Sequence, residues 1–313
     1  MPLPVVIDTD PGIDDALALL LALASPELDV RGITVTYGNT VVEHAHRNAL
    51  AILRLAQKRL PVGVSARRPI KRPLAVARET HGDSGMGHAR VPAAGTVLDY
   101  VRPLERVLAE CAEPVVLVTL GPLTGLALAL RREPDLIKAK VKRHIAMAGA
   151  VTAAGNTTRY SEFNAWCDPE ALSHVLAAKL PTELVGLDVT RSIVLTGADV
   201  AHLGETDDPK ARWLFDALRF YVEFHKEYER LDGCVVNDVL PIAALIDPAV
   251  LAFRPMRLVV GLNDGDNRGR TSEAPDGLHA LFATDPDVRR VRALLIERVL
   301  PWLGAKAFAG EAP

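Results

Sequence analysis

Acidic residues crowd one short stretch near the beginning of the chain. Four aspartates lie within eight residues: Asp8, Asp10, Asp14 and Asp15. Carboxylates this close repel one another, and the repulsion destabilises their charged forms unless a cation neutralises them. Carboxylate oxygens are hard ligands of the kind that Ca²⁺ and Mg²⁺ prefer. The cluster therefore predicts a divalent-metal site with hydrolytic chemistry.

Part of this cluster also has a simpler structural explanation. Asp14 and Asp15 fall where a helix is predicted to begin, and carboxylates at a helix N-terminus are stabilised by capping and by the helix dipole. That explanation does not cover Asp8 and Asp10, which lie on the strand side of the Pro11-Gly12 turn. The metal-site interpretation accounts for all four aspartates and is favoured.

The elements around the cluster indicate how it is positioned. Pro4 to Ile7 is a short apolar run that ends at the acidic turn, and similar apolar runs alternate with helical patterns along the chain. This pattern predicts an α/β fold, a mostly parallel central sheet with helices on both faces (Rossmann-like), as a single domain over residues 1–313. In such sheets ligands bind beyond the carboxyl ends of the strands, where the aspartates lie.

The predicted elements are assigned by residue number. Predicted strands cover residues 4–7, 30–36, 62–64, 115–119, 144–147, 182–187 and 258–261. Predicted helices cover residues 14–24, 41–56, 104–112, 123–131, 169–178, 210–228, 238–246 and 288–303. Residues 67–95, rich in Gly, Pro, Arg and His, are predicted to form a long loop, and residues 199–250 to be mainly helical.

Composition excludes several classes of partner. The formal charge is −3, so no broad basic surface for nucleic acid is predicted. The cysteines, Cys111, Cys167 and Cys234, are far apart and form no CxxC pair, which favours a reducing compartment over a disulfide framework; Cys167 is interpreted as structural. The N-terminus has no secretion signal and its longest apolar stretch is too short for a membrane span. We expect a soluble cytoplasmic protein that binds neither membranes nor nucleic acid.

Two families have an acidic turn at the end of a strand. One is the phosphohydrolases with a DxDxT-type nucleophilic aspartate, and the other is the nucleoside hydrolases, whose opening motif is DTDPGxDDAxAL. The run from Asp8 to Leu19, DTDPGIDDALAL, resembles the second motif at every fixed position. The Pro-Gly-x-Asp-Asp part is not expected of the phosphohydrolases.

Later segments resemble the nucleoside hydrolase family in the same order. They are Thr34–Thr40, Thr80–Gly87, Gly121–Thr124 (with Gly125 in place of the usual Asn), Met147–Ala150, Gly155-Asn156, Glu162–Asn164, Asp188–Thr190 and, more weakly, Asn267–Gly269. The resemblance runs from about residue 3 to about residue 250. It implies the nucleoside hydrolase fold and an enzyme of nucleoside salvage that forms a homodimer or homotetramer.

By this resemblance, a Ca²⁺ ion is expected to bind Asp10, Asp15, Asp238 and the backbone carbonyl of Thr124. The ion would orient and acidify a water that attacks the anomeric carbon of the sugar. Asp10 would accept the proton of that water as general base. The expected reaction is hydrolysis of a ribonucleoside to free base and ribose.

The resemblance also implies contacts to the small-molecule nucleoside. Asp14 and Asn39 are expected on the ribose hydroxyls, and the 5′ side of the sugar is expected to meet Asn156, Glu162 and Asn164. Such contacts raise the rate where they strengthen as positive charge builds on the ribose. Further candidate contacts are His81, Met147 and Tyr228. Structural alternatives remain: turn residues for Asn39 and Asn156, a loop position for His81, and core positions for Met147 and Tyr228.

One departure from the family pattern concerns the leaving base. The family commonly has His-Asp where this chain has Asn237-Asp238, and that histidine is credited with protonating the base. Asparagine donates a hydrogen bond but delivers no proton. Three interpretations stay open: His225 or Tyr228 on the preceding helix replaces the acid, the base leaves without a strong protein acid, or the substrate is a different N-riboside.

Three functions are therefore compared. The favoured one is a Ca²⁺-dependent ribonucleoside hydrolase with Asp10 and Asn237 at the reacting bond. The second is a phosphohydrolase that uses Asp8 as a covalent nucleophile, although no partner lysine can be assigned to it. The third is a catalytically impaired relative that only binds ribose or a nucleoside, which Asn237 alone favours.

Overall fold

The computed structural model describes residues 1–92 and 102–308 of the chain, the last four of these as backbone only. Eleven strands are present in the described residues: β1 Leu3–Thr9, β2 Leu28–Val35, β3 Val62–Val64, β4 Val115–Thr119, β5 Val141–Met147, β6 Thr182–Val185, β7 Val194–Thr196, β8 Gly233–Val235, β9 Ala252–Val260, β10 Thr271–Glu273 and β11 Leu278–Thr284. Nine of them form one sheet in the order β10-β9-β11-β6-β5-β4-β1-β2-β3.

Helices connect these strands and cover the sheet. They are α1 Ile13–Ala24, α2 Val42–Leu55, α3 Arg78–His81, α4 Leu104–Glu110, α5 Thr124–Arg132, α6 Pro134–Lys140, α7 Phe163–Cys167, α8 Pro169–Ala177, α9 Leu187–Thr190, α10 Gly197–Leu203, α11 Pro209–Phe224, α12 Val239–Ile246 and α13 Val288–Arg298. A π-helical turn, His225–Glu229, extends α11, and 3₁₀ turns cover Pro248–Val250 and Pro301–Phe308. In the part of the chain that the structure describes, no helix is both long and apolar enough to cross a bilayer.

The interior strand β1, between β4 and β2, shows why helices lie on both faces of the sheet. Val5, Val6 and Ile7 are fully buried. Val5 and Ile7 belong to the core shared with α1 and α12, whereas Val6 belongs to the core shared with α4 and α5 on the opposite face. Because successive strand residues point to opposite faces, a strand covered on both sides reads as a continuous apolar run. The predicted fold class, a mostly parallel sheet with helices on both faces, is confirmed.

The sheet is parallel from β3 through β4 to β11, and β9 and β10 then add an antiparallel edge. This edge was not predicted beyond residues 258–261, because β9 alternates exposed and buried residues and only its end is continuously apolar. The small antiparallel pair β7-β8 was also missed, since β8 lies inside the stretch predicted to be mainly helical. Residues 93–95 of the predicted long loop lie outside the described residues.

Candidate active site

A cavity of about 390 Å³ opens beyond the carboxyl ends of β1, β2, β4 and β5. Nine of the residues predicted to carry the function line it: Asp14, Asn39, His81, Met147, Asn156, Glu162, Asn164, Asn237 and Asp238. It is also lined by Val76–Thr80, Leu120, Thr157, Phe163 and Tyr221. The topology thus brings together segments more than 200 residues apart at the sheet edge that ligands usually occupy.

Buried carboxylates lie on one side of this cavity, which we call the floor: Asp14 and Asp238 line the cavity, and Asp10 and Asp15 lie next to them without lining it. Asp14, Asp15 and Asp238 each offer an oxygen, and these oxygens all lie within 4.8 Å of one another. Asp14 and Asp15 stand in the first turn of α1, and Asp238 immediately precedes α12. All three side chains are buried, as is Asp10. A cluster of carboxylate oxygens shielded from solvent is the donor set of a hard divalent cation.

The pKa values of the floor carboxylates also favour a bound cation. Burial, followed by repulsion from Asp15, raises the pKa of Asp14 to about 7. The pKa values of Asp10 and Asp238 also lie well above the ordinary range, because both are buried among neighbouring carboxylates. Without a cation these groups resist ionisation near neutral pH. A bound cation would remove that penalty, so the residues present fit a divalent metal.

Asp10 is held in one orientation with one oxygen left over. Its Oδ2 accepts a hydrogen bond from the backbone N–H of Asn39 at 2.6 Å, whereas its buried Oδ1 has no partner among the described residues. A Cβ atom added at Gly38 or at Gly121 would collide with this carboxylate, so both loops need glycine to approach it. Oδ1 of Asp10 is therefore a fixed, unpartnered acceptor, suited to a metal or to the proton of a water.

Asn39 hydrogen-bonds a carboxylate of the floor and also lines the cavity. Its side-chain amide donates to Oδ2 of Asp15 at 2.7 Å, next to the N–H of Gly12 at 2.9 Å. The hydroxyl of Thr9 donates to the other oxygen of Asp15. Asn39 was predicted to contact ribose; in the structure its amide nitrogen orients Asp15, and the residue also borders the cavity.

One end of the cavity is built by the segment that leads into α7. Glu162 caps this helix: its carboxylate accepts from the N–H groups of Gly149 (3.0 Å), Asn164 (2.7 Å) and Ala165 (2.9 Å). The amide nitrogen of Asn164 donates to the carbonyls of Leu120 (2.6 Å) and Met147 (3.0 Å). These bonds leave Oδ1 of Asn164 as its remaining acceptor, and we call this region the sugar end.

The loop ahead of α7 is held by Asn156. Its Oδ1 accepts from the N–H of Phe163 at 2.9 Å and from the hydroxyl of Thr157 at 3.4 Å. The side chain is exposed yet borders the cavity. The predicted turn role and the predicted contact with the 5′ side of the sugar are therefore compatible.

The opposite end of the cavity, the base end, presents neutral hydrogen-bond donors. Nδ1 of His81 accepts from the N–H of Ile13 at 3.1 Å, so the hydrogen of the neutral ring lies on Nε2. Burial, with a smaller effect of His225, lowers the pKa of His81 to about 3. The ring centroid of Tyr221 lies 5.2 Å from that of His81. Burial, then the charge of Asp14, raises the pKa of Tyr221 well above its ordinary value, so its hydroxyl stays protonated.

Asn237 completes the base end. Its Oδ1 accepts from the hydroxyl of Thr190 at 2.8 Å, which turns its amide nitrogen into the available donor. Hydrogen bonds from its side chain and its backbone partly oppose the rise in the pKa of Asp14. Asn237 thus stands between the acidic floor and the neutral donors.

Comparison with known proteins decides the family. The family model described as inosine-uridine preferring nucleoside hydrolase matches residues 5–297. The chain belongs to this family. A curated relative, the pyrimidine-specific ribonucleoside hydrolase RihA of Salmonella paratyphi B, is 38% identical over 258 residues, which cover 80% of this chain and 81% of that protein. RihA of Klebsiella pneumoniae is 38% identical over 255 residues, with the same coverage.

Solved structures of nucleoside hydrolases share the fold. A plant nucleoside hydrolase, PpNRh1, superposes with a TM-score of 0.86 at 31% identity, covering 97% of this chain and all (100%) of that chain. A purine-preferring ribonucleoside hydrolase from Gardnerella vaginalis gives a TM-score of 0.87 at 28% identity, covering 96% and 99% of the two chains. The predicted family and enzyme class, a hydrolase of N-ribosidic bonds, are confirmed.

Two residues of this nucleoside hydrolase were considered as substitutes for the missing acid, and neither lines the main cavity; His225 does line a small adjoining cavity together with Tyr221 and Asn237. Tyr228 is 60% exposed, stacks on Phe224 at 4.9 Å and lines no described cavity. His225 is buried behind Tyr221, where its Nδ1 donates to the carbonyl of Tyr221 at 2.8 Å. Tyr228 therefore stays a prediction as a site residue: it lies in the π-helical turn that follows α11 after Phe224 and does not line the cavity in this structure.

Tyr221 belongs to a group of aromatic residues on α11 whose role the sequence leaves open. Phe220, Tyr221, Phe224 and Tyr228 lie at spacings of three and four, which is compatible with a core stripe or with a lid that stacks on the base. In the structure Tyr221 is nearly fully buried between His81 and His225. Only the packing of α11 against α3 shows that it borders the cavity.

Thr124 belongs to a hydrogen-bond chain beside the site. Its hydroxyl donates to Asp168 at 2.7 Å and lies 2.8 Å from the hydroxyl of Tyr37. Thr124 does not line the cavity, whereas Leu120, directly after β4, does. Leu120 is therefore the residue of this segment that lines the cavity, and Thr124 lies one turn further on, at the beginning of α5.

Asp8 is enclosed within the sheet. Its Oδ1 accepts from the hydroxyl of Thr34 at 2.6 Å, and only 1% of the residue is exposed. Burial raises the pKa of Asp8 to about 6. A Cβ at position 125 would lie 2.9 Å from Oδ2 of Asp8, so Gly125 packs directly on this carboxylate. The neighbours of Asp8 are thus Thr34, Ser65 and Gly125, whereas Asp10 lies among the carboxylates of the floor.

Proposed function

We propose that the protein hydrolyses the N-glycosidic bond of ribonucleosides to free base and ribose, with Ca²⁺ held by the acidic floor. One observation carries the proposal: a single cavity joins a buried carboxylate cluster to a hydrogen-bonding sugar end and a neutral, aromatic base end. A nucleoside has the matching parts, a polyhydroxyl ring attached to a flat heterocycle. Asp10, Asp15 and Asp238 are the residues that would hold the cation, together with a backbone carbonyl.

The backbone ligand is assigned to Leu120 rather than to Thr124. The carbonyl of Leu120 already accepts from Asn164 at the cavity wall, and a carbonyl oxygen has a second lone pair for a cation. When bound, the cation would acidify the attacking water and supply positive charge to the ribose hydroxyls. Every other step is carried by protein groups.

Asp10 is proposed as the general base. Its free Oδ1 is buried and rigidly oriented, so it can receive the proton of a water without a change of rotamer. Asp14 borders the cavity and is proposed to accept a hydrogen bond from a ribose hydroxyl. As the glycosidic bond breaks, positive charge develops on the sugar ring, and the negative floor stabilises it more strongly than it stabilises the ground state.

The sugar end is proposed to fix the 5′ side of the ribose. Oδ1 of Asn164 is the free acceptor there, and its amide nitrogen is already committed to two carbonyls, so the acceptor has one orientation. Glu162 lies beside it with a pKa raised by burial. Orientation of the sugar against the base Asp10 is worth a large part of the rate, since positioning alone accounts for several kcal/mol in well-ordered sites.

The leaving base is proposed to depart with hydrogen bonds from neutral donors. Nε2 of His81, the hydroxyl of Tyr221 and the amide of Asn237 border the same end of the cavity. The low pKa of His81 means that it acts as a neutral imidazole, not as an imidazolium. This arrangement supports the interpretation that the base leaves without a strong protein acid, and it removes the need for a histidine at position 237.

One experiment separates this function from its rivals. The purified protein is incubated with uridine, cytidine, inosine and adenosine and with their monophosphates, with and without EDTA, and ribose reducing ends and inorganic phosphate are measured. Pyrimidine and purine nucleosides are both needed, because the relatives include pyrimidine-specific and purine-preferring enzymes. Ribose release that EDTA abolishes supports the proposal. Phosphate release supports a phosphohydrolase, and tight binding without release supports an impaired relative.

The proposed assembly and cell compartment rest on the family resemblance and on the cysteines. A homodimer or homotetramer is proposed from the family resemblance, and light scattering of the purified protein tests it. A cytoplasmic location is proposed from three widely spaced cysteines, which are all free and buried in the structure.

A further inference from the structure

The loop 261–270, between β9 and β10, lies against the outside of the segment that forms the sugar end. The two are joined at separate points along the loop. The hydroxyl of Thr158 donates to the carbonyl of Asp266 at 2.9 Å, and the guanidinium of Arg270 lies 4.6 Å from the ring centre of Tyr160. At the start of β10, the hydroxyl of Thr271 accepts from the N–H of Ala150 at 2.9 Å and donates to its carbonyl at 2.8 Å.

Arg268 makes the closest attachment to α7. Its Nε donates to the carbonyl of Trp166 at 2.8 Å, and a terminal nitrogen donates to the carbonyl of Cys167 at 3.1 Å. The guanidinium also lies 4.0 Å from the centre of the Trp166 ring. The next residue, Gly269, has φ +74° and packs its backbone on that of Trp166, where a side chain would collide.

These contacts occur at the C-terminal end of a very short helix. α7 has five residues, too few to be stable without other support, because helix nucleation is costly. Its N-terminal end is tied by the carboxylate of Glu162, which bonds Gly149 as well as the helix. Its last carbonyls are neutralised by the cation of Arg268, which the helix dipole favours. The single turn between these ties carries Asn164.

We propose that Arg268 is a positioning residue for the sugar end of the site. Arg268 touches neither substrate nor floor; it fixes the turn that sets the position of Asn164. The inference rests on the proposed function, because it takes Asn164 to bind ribose. A displacement of about 1 Å in a positioning group can cost about 100-fold in rate, so a loosened α7 is expected to lower kcat/KM by about 10- to 100-fold.

The test is a double-mutant cycle. Arg268→Met, which keeps the length of the side chain, is introduced into the wild type and into Asn164→Ala, and kcat/KM for ribonucleoside hydrolysis is measured with the melting temperature. In the wild type we expect a loss of about 10- to 100-fold, and in the Asn164→Ala background a loss of less than about threefold, because the effect is transmitted through that residue. Arg268→Lys is expected to recover little, since lysine cannot form the paired bonds and the stacking.

The matched control is Arg257→Met, an arginine on β9 whose guanidinium bonds only the carbonyl of Pro275 among the described residues. It is expected to leave kcat/KM unchanged. Equal losses for Arg268→Met in both backgrounds, or no loss in the wild type, would overturn the inference. If the wild type releases no ribose from any nucleoside, the proposed function fails instead. The Kd for free ribose, measured by calorimetry, then decides: a tenfold increase in Arg268→Met supports the positioning role, and an unchanged Kd overturns it.

Discussion

The two ends of the cavity are built in different ways. At the sugar end and the floor, side chains are fixed by backbone groups of strand-end loops, as Glu162 and Asp10 show. At the base end, Tyr221 and His81 come from helices and their rings pack with centroids 5.2 Å apart, although His81 also accepts from the N–H of Ile13. Side chains fixed by backbone groups suit contact with the ribose, which every ribonucleoside shares. Packed aromatic rings suit contact with the base, which differs between substrates, because their packing can change without disturbing the sheet.

The largest expected effect is the difference in kcat between substitution of Asp10, in the floor, and substitution of Asp8, on the same strand. Asp10→Asn removes the proposed base, and kcat is expected to fall by at least about 10³-fold, within the range of general-base catalysis. Asp8→Asn is the matched control: this aspartate lies on the same strand but bonds Thr34 and is not among the carboxylates of the floor, and a loss of less than about tenfold is expected. Equal losses would contradict the division between them. Initial rates with saturating Ca²⁺ measure both.

Residues of the base end should affect kcat only for substrates whose leaving group must be stabilised by a hydrogen bond. Tyr221→Phe and His81→Ala are each expected to lower kcat on ribonucleosides by about 10- to 100-fold, a share of the contribution usual for leaving-group assistance. A riboside with a nitrophenolate leaving group needs no such assistance, so its kcat should change by less than about threefold. Parallel losses on both substrates would show that these residues act on the sugar, and the contrast between the two ends would be wrong.

Asn237→His sharpens the same contrast. Because His81 and Tyr221 already border the base end, restoring a histidine is expected to change kcat on inosine and uridine by less than about tenfold, well below a full acid-catalytic contribution. Steady-state assays on both nucleosides measure it. An increase of 100-fold or more would mean that protonation of the base limits the enzyme and that the neutral donors are insufficient.

Without metal, the floor should make stability depend on pH. Folding raises the pKa of Asp14 to about 7 and that of Asp8 to about 6, so the folded protein binds more protons than the unfolded chain between pH 4 and these values. The stability that these protons support is present below about pH 4 and is lost as the pH rises towards 7, with about 4 kcal/mol as the upper limit for Asp14.

Urea unfolding of EDTA-treated protein at pH 5 and pH 8 measures this effect. The free energy of unfolding is expected to be lower at pH 8, and Ca²⁺ is expected to reduce the difference by neutralising the carboxylates. The buried His81 and His144, each with a pKa lowered to about 3, act in the opposite direction below pH 6.5 and offset much of the effect of Asp14 and Asp8. The expected sign therefore depends on Asp10 and Asp238 as well, whose pKa values are raised well above the ordinary range. A metal-free protein that is more stable at pH 8 than at pH 5 would contradict the account of the floor.

The smallest effect is expected at Tyr228. This residue is exposed and touches the site only through Phe224, so Tyr228→Ala should change kcat/KM by less than about twofold. Rates on uridine and inosine check this. A tenfold loss would indicate that the turn 225–229 closes over the substrate and that the base end extends beyond the cavity.

The same contrast explains what the sequence could reveal. Asp10 and Asn39 each follow a strand within a local motif, so the fold class and the floor could be predicted from short segments. The role of Tyr221 could not be decided, because it depends on how α11 packs against α3. A motif also gives the segment of a backbone ligand but not which of its residues borders the cavity, which is Leu120 rather than Thr124.

The central claim is that a metal in the acidic floor makes this chain an N-ribosyl hydrolase. The most direct test is the rate of ribose release from uridine and inosine by metal-stripped protein during a Ca²⁺ titration, with Asp238→Asn and Asp8→Asn alongside. The account predicts negligible release without Ca²⁺, saturable recovery in the wild type and in Asp8→Asn, and a strongly weakened Ca²⁺ response in Asp238→Asn. Full ribose release by the stripped wild type, or identical Ca²⁺ curves for all three proteins, would contradict it.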